Sequence, residues 1–133
     1  EEDKVAAKYA LENWPGQVIF SGFEIGDKIR SGLPLIHNDA ISSSPVKDVF
    51  RICIPMAKED SAGRKSWDET AVLVGITGYH PYYTLVPGSI KIDDKGSNKW
   101  VGKNRNQYYL VEKLPASAIE KRINQLIMHQ PNK

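Results

Sequence analysis

The chain reads as an α+β domain: an antiparallel sheet of about five strands in a meander, with an N-terminal and a C-terminal helix packed on one face or one end. Three observations predict it. Helix-period apolar patterns stand at both ends of the 133 residues. Short β-rich runs bounded by Gly, Pro, Asn and Asp fill the space between them. The connections between those runs are short turns, which favour antiparallel neighbours.

Residues 2–13 carry Val5, Ala6, Tyr9 and Ala10 at helical spacing, with Lys4, Lys8 and Glu12 between them. Asn13-Trp14-Pro15-Gly16 stops this helix, because Pro15 disfavours helix at Trp14 and Gly16 opens a turn. Gln17 to Ile25 follows as a strand, with Gly22 as a bulge. Residues 29–44, with Gly32, Pro34, Asn38, Asp39 and the serines Ser42 to Ser44, read as a long loop that buries Leu33, Leu35 and Ile36.

In Lys47 to Lys58, Phe50, Ile52, Ile54 and Met56 alternate with Val49, Arg51, Cys53 and Pro55. This predicts a strand with an edge or end at Pro55, which has no N–H to give a ladder. A polar turn over 59–69 returns the chain antiparallel into a strand over 70–79. Its run Ala71 to Thr77 is apolar on both sides and reads as the central strand. Pro81 breaks or kinks it, Tyr82 to Val86 continues it, and Pro87-Gly88 makes the next turn.

Ser89 to Asp93, Trp100-Val101 and Gln107 to Lys113 complete the strands. Residues 116–129 show the clearest helix. Pro115 precedes it, Ser117 and Glu120 have capping-box spacing, and Ile119, Ile123, Leu126 and Ile127 share one face. By length the whole of 1–133 is one domain, with 131–133 a frayed tail.

Hydrophobic residues make up 41% of the chain and charged residues 26%, which is ordinary for a globular domain. The 18 basic and 16 acidic residues leave a net charge of +2, too small to imply a nucleic-acid or membrane partner. No apolar run approaches the ~20 residues of a membrane span. Cys53 is the single cysteine, so no intrachain disulfide forms, and its apolar surroundings predict an inert, buried thiol. The chain begins at Glu1 rather than Met, which suggests processing and favours an exported or periplasmic setting over a cytoplasmic one.

Catalytic signatures are missing. There is no GxSxG, GxGxxG or Walker loop, and Gly75 to Gly78, read as part of a strand, points to close backbone packing or a bulge. His37, His80, His129 and Cys53 show no zinc spacing, and Asp93-Asp94 falls short of a calcium loop, so no metal and no cofactor are expected. Cys53 and His80 lie on strands expected to be neighbours, yet nothing marks the thiol as activated. No catalytic residue is assigned.

Two patches carry the expected binding residues. Tyr79, His80, Tyr82 and Tyr83 form an aromatic group at a strand end, where rings with polar tips suit a surface that is dry on one side and wet on the other. Alternation sends Tyr79 and Tyr83 to one face and His80 and Tyr82 to the other, unless Pro81 resets the register. The stretch 91–105 holds Lys99, Trp100, Lys103 and Arg105, an arrangement that can track a phosphate backbone and stack a base.

A terminal helix on a curved antiparallel sheet resembles cystatin-like and NTF2-like architectures. The resemblance is one of architecture, carries no motif residues, and implies no function. The expected function is a non-enzymatic protein-binding or assembly domain, an accessory piece of a bacterial, envelope-associated or exported system. Its partner would be another protein or a second copy of itself, engaged by the first helix or by an edge strand near Pro55. A rival is a small enzyme or ligand carrier with a pocket between sheet and helix, lined by His37, Tyr79, His80 and Tyr82. A further alternative is a weak anion or nucleic-acid binder acting through the 91–105 hairpin.

Overall fold

Asp3 opens the first helix, α1 (Lys4–Asn13), by accepting a bond from the Ala6 N–H at 2.9 Å. The structure, a computed structural model, describes residues 3–102 and 106–130. After the Trp14–Gly16 turn come β1 (Val18–Phe20), the short helix α2 (Phe23–Gly26), β2 (Arg30–Ser31) and the short helix α3 (Leu33–Ile36). The fourth helix, α4 (Pro45–Cys53), runs into two 3-10 turns, Ile54–Met56 and Lys58–Asp60. β3 (Arg64–Lys65), α5 (Trp67–Thr77), β4 (Tyr83–Ile92), β5 (Asn98–Val101), β6 (Gln107–Glu112) and α6 (Ala116–Ile127) follow.

The protein is therefore α+β, and its sheet departs from a simple meander. The main sheet has the order β1-β6-β4-β5, with β1 parallel to β6 and the other pairs antiparallel. β4 lies between its two successors instead of beside one of them. β2 and β3 form a separate antiparallel ribbon. Tyr83 and Leu85 on β4, Leu110 on β6 and Ile19 on β1 point to the helices. They pack with Ile25, Ile29, Leu73, Val74, Ile119 and Ile123. A second core under α4 holds Leu35, Ile41, Phe50 and Ile54, with Ile127 and Met128 at the end of α6 packed against it.

Two expected strands are helices. Lys47 to Lys58 is instead α4 and its 3-10 extension. Ser44 caps it, accepting from Lys47 N–H at 3.3 Å, and Pro45 fills the first turn, where a missing N–H costs nothing. Phe50 and Ile54, four apart, enter the second core, and Asp48 pairs with Arg51 at 3.1 Å. The alternation read at Phe50, Ile52, Ile54 and Met56 is real but does not set the structure. Ile52 and Met56 stay exposed. Pro55 lies in a 3-10 turn and marks no sheet edge.

Residues 70–79 form most of α5, not a central strand. Asp68 and Glu69 sit in its first turn, favourable to the helix dipole, and Gly78 ends it at φ +79°. The polar segment 59–69 accordingly makes no hairpin between two long strands.

β4 runs straight through Pro87-Gly88, where a turn was expected. Lys113 and Leu114 donate to the Tyr82 carbonyl, so the backbone groups of residues 82, 84, 86 and 88 face β6. Pro87 therefore faces the other side, and β5 begins pairing only at Ser89. Its missing N–H costs no ladder bond. Gly88 is required here, because a Cβ would meet the Trp100 indole at 2.4 Å. Ser117 does not cap α6, whose N-cap is Pro115 and which has no side-chain cap. Glu120 instead accepts from the Arg30 N–H at 2.8 Å.

Candidate functional site

The expected aromatic patch is split by the fold. Tyr83 is 0% exposed and belongs to the core. Tyr82 is half-buried against the same core, and its carbonyl accepts from the Lys113 and Leu114 N–H groups just after β6. Tyr79 and His80 are exposed in the turn before β4, with a cis peptide at His80-Pro81. The Tyr83 N–H donates to the Tyr79 carbonyl at 2.8 Å, so this stretch is coiled and strand alternation does not apply.

Trp100 is half-buried. Its ring lies over Gly88 and meets Tyr109 and Phe20 edge-on at 5.0 and 6.0 Å. Lys99 is exposed beside it on β5, while Lys103 and Arg105 lie outside the described residues. His37 is exposed after α3, and five grooves of about 280 to 460 Å³ on the described surface are lined by none of His37, Tyr79, His80 and Tyr82.

The acidic and thiol candidates have local roles. Asp93 accepts from the Lys95 and Ser97 N–H groups at 2.8 and 2.9 Å, which closes the β4–β5 turn. Asp94 meets α1 through Lys4 and Lys8. Cys53 ends α4, half-buried and on no strand, with its sulfur 3.9 Å from the Phe50 carbonyl. Among the described residues no three His, Cys, Asp or Glu side chains converge to hold a metal ion, and no helix is long and apolar enough to cross a membrane.

What the fold does bring together is exposed apolar surface, and on α5 part of it borders a groove. Residues 71–76, Ala-Val-Leu-Val-Gly-Ile, have no polar side chain, so every side of the helix is apolar there. Yet only Thr70, Leu73 and Val74 of the helix are buried. A helix apolar all round is normally enclosed. Here Val72 is 57% exposed and Ile76 79%.

Between these residues and α6 lies an open groove of about 280 Å³, lined by Leu73, Ile123, Ile127 and the 41%-exposed Leu126, with Glu69 at one end. Ser31 holds the Glu69 carboxylate, at 2.8 and 3.0 Å from its two oxygens. The rest of the groove lining offers water almost nothing to bond.

On the opposite flank, Ala71 and Gly75 face a groove of about 340 Å³ along β1. Further exposed stripes occur at Val5 and Tyr9 on α1, a helix that buries none of its ten residues, and at Val49, Ile52 and Met56 by α4. Val72, Ile76 and Leu126 were not singled out from the sequence. For Val72 and Ile76 the signal is the two-sided hydrophobicity of 71–77, which also fits a buried strand, and for Leu126 it is a place on the apolar face of the last helix. Comparison of the chain with protein families, with curated proteins and with solved structures found no match.

Proposed function

We propose that this chain is a protein-binding domain and that the groove between α5 and α6 is its docking face. The supporting observation is Ile76, 79% exposed at the end of a stretch, residues 71–76, with no polar side chain. Enclosing a Val, Ile or Leu side chain is worth about 1.5–3 kcal/mol. Removing Val72, Ile76 and Leu126 from water together therefore supplies a strong local driving force for docking. A channel walled by two helices suits an amphipathic helix from the partner, with apolar residues at i, i+3 and i+4. The exposed apolar stripes of α1 and α4 fit a domain that works within a larger assembly.

The test is site-specific photo-crosslinking in the native host, with the reactive side chain at position 76 and a control at the exposed Lys121. A discrete adduct at 76, absent at 121 and lost when Val72 is changed to Glu, is expected. A chain that stays monomeric by light scattering and forms no adduct at 76 beyond the control overturns the reading.

A further inference from the structure

We propose that the free edge of β1 is a second site, which accepts an extended, uncharged peptide segment as an added strand between β1 and α5. β1 is an outer strand of the main sheet, and among the described residues its one neighbouring strand is β6. The Val18 N–H donates to the Asn106 carbonyl at 3.1 Å, and the pairing is parallel in the register Val18↔Gln107, Ile19↔Tyr108, Phe20↔Tyr109. The backbone groups of Val18 and Phe20 thus face β6. Because successive residues of a strand alternate, those of Gln17, Ile19 and Ser21 face the open edge. An edge presenting such groups is a template for another strand unless something blunts it. No proline or charged side chain does so between residues 17 and 21.

The same three residues form one side of the 340 Å³ groove, whose other wall is Ala71, Val74 and Gly75 of α5, with Leu110 also lining it. The Ser21 and Thr70 hydroxyls, 2.7 Å apart, join β1 to α5 beside it. A sheet edge facing a helix across a channel is the geometry in which a strand is added: main-chain bonds hold the peptide and alternate side chains enter the channel.

Gly75 supplies an independent observation. It sits inside α5, where glycine weakens a helix relative to alanine. Yet a Cβ built there meets nothing within 4 Å, so no packing within the chain demands it. The open space above Gly75 is room for an incoming strand. None of the residues lining the groove is charged, so the occupant that matches is an uncharged segment with an apolar side chain facing Ile19, Val74 and Leu110.

The site is separate from the α5–α6 groove, and its test distinguishes the two. The intact chain is used to select from a phage-displayed library of short random peptides, and the best binder is resynthesised. Uncharged peptides are expected, and their addition should shift the backbone amide signals of Ile19, Ser21 and Gly75. Gly75→Leu should remove binding while the variant melts no lower than the parent. N-methylation of the peptide amides that face β1 should weaken binding about tenfold, the effect of losing one or two net hydrogen bonds. Ile76→Glu should leave the affinity unchanged.

Failure to enrich any peptide overturns the proposal, as does a binder that shifts only Val72, Ile76 and Leu126. The latter would leave the α5–α6 docking face standing. Concentration-dependent shifts at 17–21 without peptide would assign the edge to a second copy of the chain and overturn it as well.

Discussion

Tyr83 carries a phenol into the core without giving it a partner. Its ring is fully buried among Ile25, Leu73, Ile119 and their neighbours, and its hydroxyl makes no hydrogen bond among the described residues. Directly across the sheet stands Glu112, one of whose carboxylate oxygens is buried and equally unpartnered, while the other accepts from Lys28 at 3.0 Å. Burial, with a smaller effect from the Glu112 charge, pushes the Tyr83 pKa up to about 12. The folded state therefore holds this proton more tightly than the unfolded chain. The associated stability is present below about pH 10 and is lost as pH rises toward about 12. Tyr83→Phe removes the unpaired hydroxyl and should stabilise the protein by about 1 kcal/mol at neutral pH. It should also abolish the loss of about 1.4 kcal/mol that Tyr83 causes in the parent by about pH 11. Urea unfolding of both proteins across that range measures each effect. A destabilised Phe variant at neutral pH would show that the hydroxyl has a partner after all. Nothing in the local sequence separates Tyr83 from Tyr79, since both suit a strand end. The coil at residues 79–83 does so, by ending the alternation that would have paired them.

Elements were legible where local signals and burial agreed. The two terminal helices, the strand ending at Glu112 and the β5 return each follow their sequence pattern. α4 and α5 do not, for opposite reasons. In α4 the apolar residues fit both a two-residue and a 3.6-residue period, and the deciding marks are the Ser44 cap and Pro45. In α5 the β-branched run hides a helix whose marks lie at its ends, in Asp68, Glu69 and Gly78. A buried strand and an exposed docking helix can share one apolar composition, so the candidate site could not be read from that run alone. β2 depends on a contact no local pattern announces. Asn124 of α6 is 6% exposed; its Oδ1 accepts from the Gly32 N–H at 3.2 Å and its Nδ2 donates to the Arg30 carbonyl at 2.9 Å. Together with Glu120 it satisfies the backbone of a two-residue strand that is too short to hold itself. Asn124→Ala leaves two backbone groups unpaired at a buried site and should cost about 2–4 kcal/mol in chemical denaturation. A cost below about 0.5 kcal/mol would mean that β2 is held by β3 alone.

At the scale of the whole molecule, α6 joins two cores that otherwise share little. Ile119 and Ile123 are buried with the sheet and α5, whereas Ile127 and Met128 pack against the core of Leu35, Ile41, Phe50 and Ile54. The second core is the smaller, and α4 presents Val49, Ile52 and Met56 to water on its outer side. It therefore has fewer apolar contacts with which to resist local opening, and it depends on the last turn of α6 to share the stability of the sheet. Ile127→Ala removes about 1–2 kcal/mol of half-buried side chain from that junction and nothing from the sheet. Native-state hydrogen exchange should then show faster exchange at the Phe50 and Ile54 amides, which open before the global unfolding event. The Leu85 and Leu110 amides should keep exchange free energies that fall only with the overall stability. If all four sites lose protection by the same amount, the two cores form a single cooperative unit and α6 is not the hinge between them. If α4 exchanges no faster while the sheet does, the dependence runs the other way. In the expected case, the α4 surface and the α5–α6 groove meet at an element of graded stability, which lets a docked partner tighten the smaller core by mass action on its folded form alone.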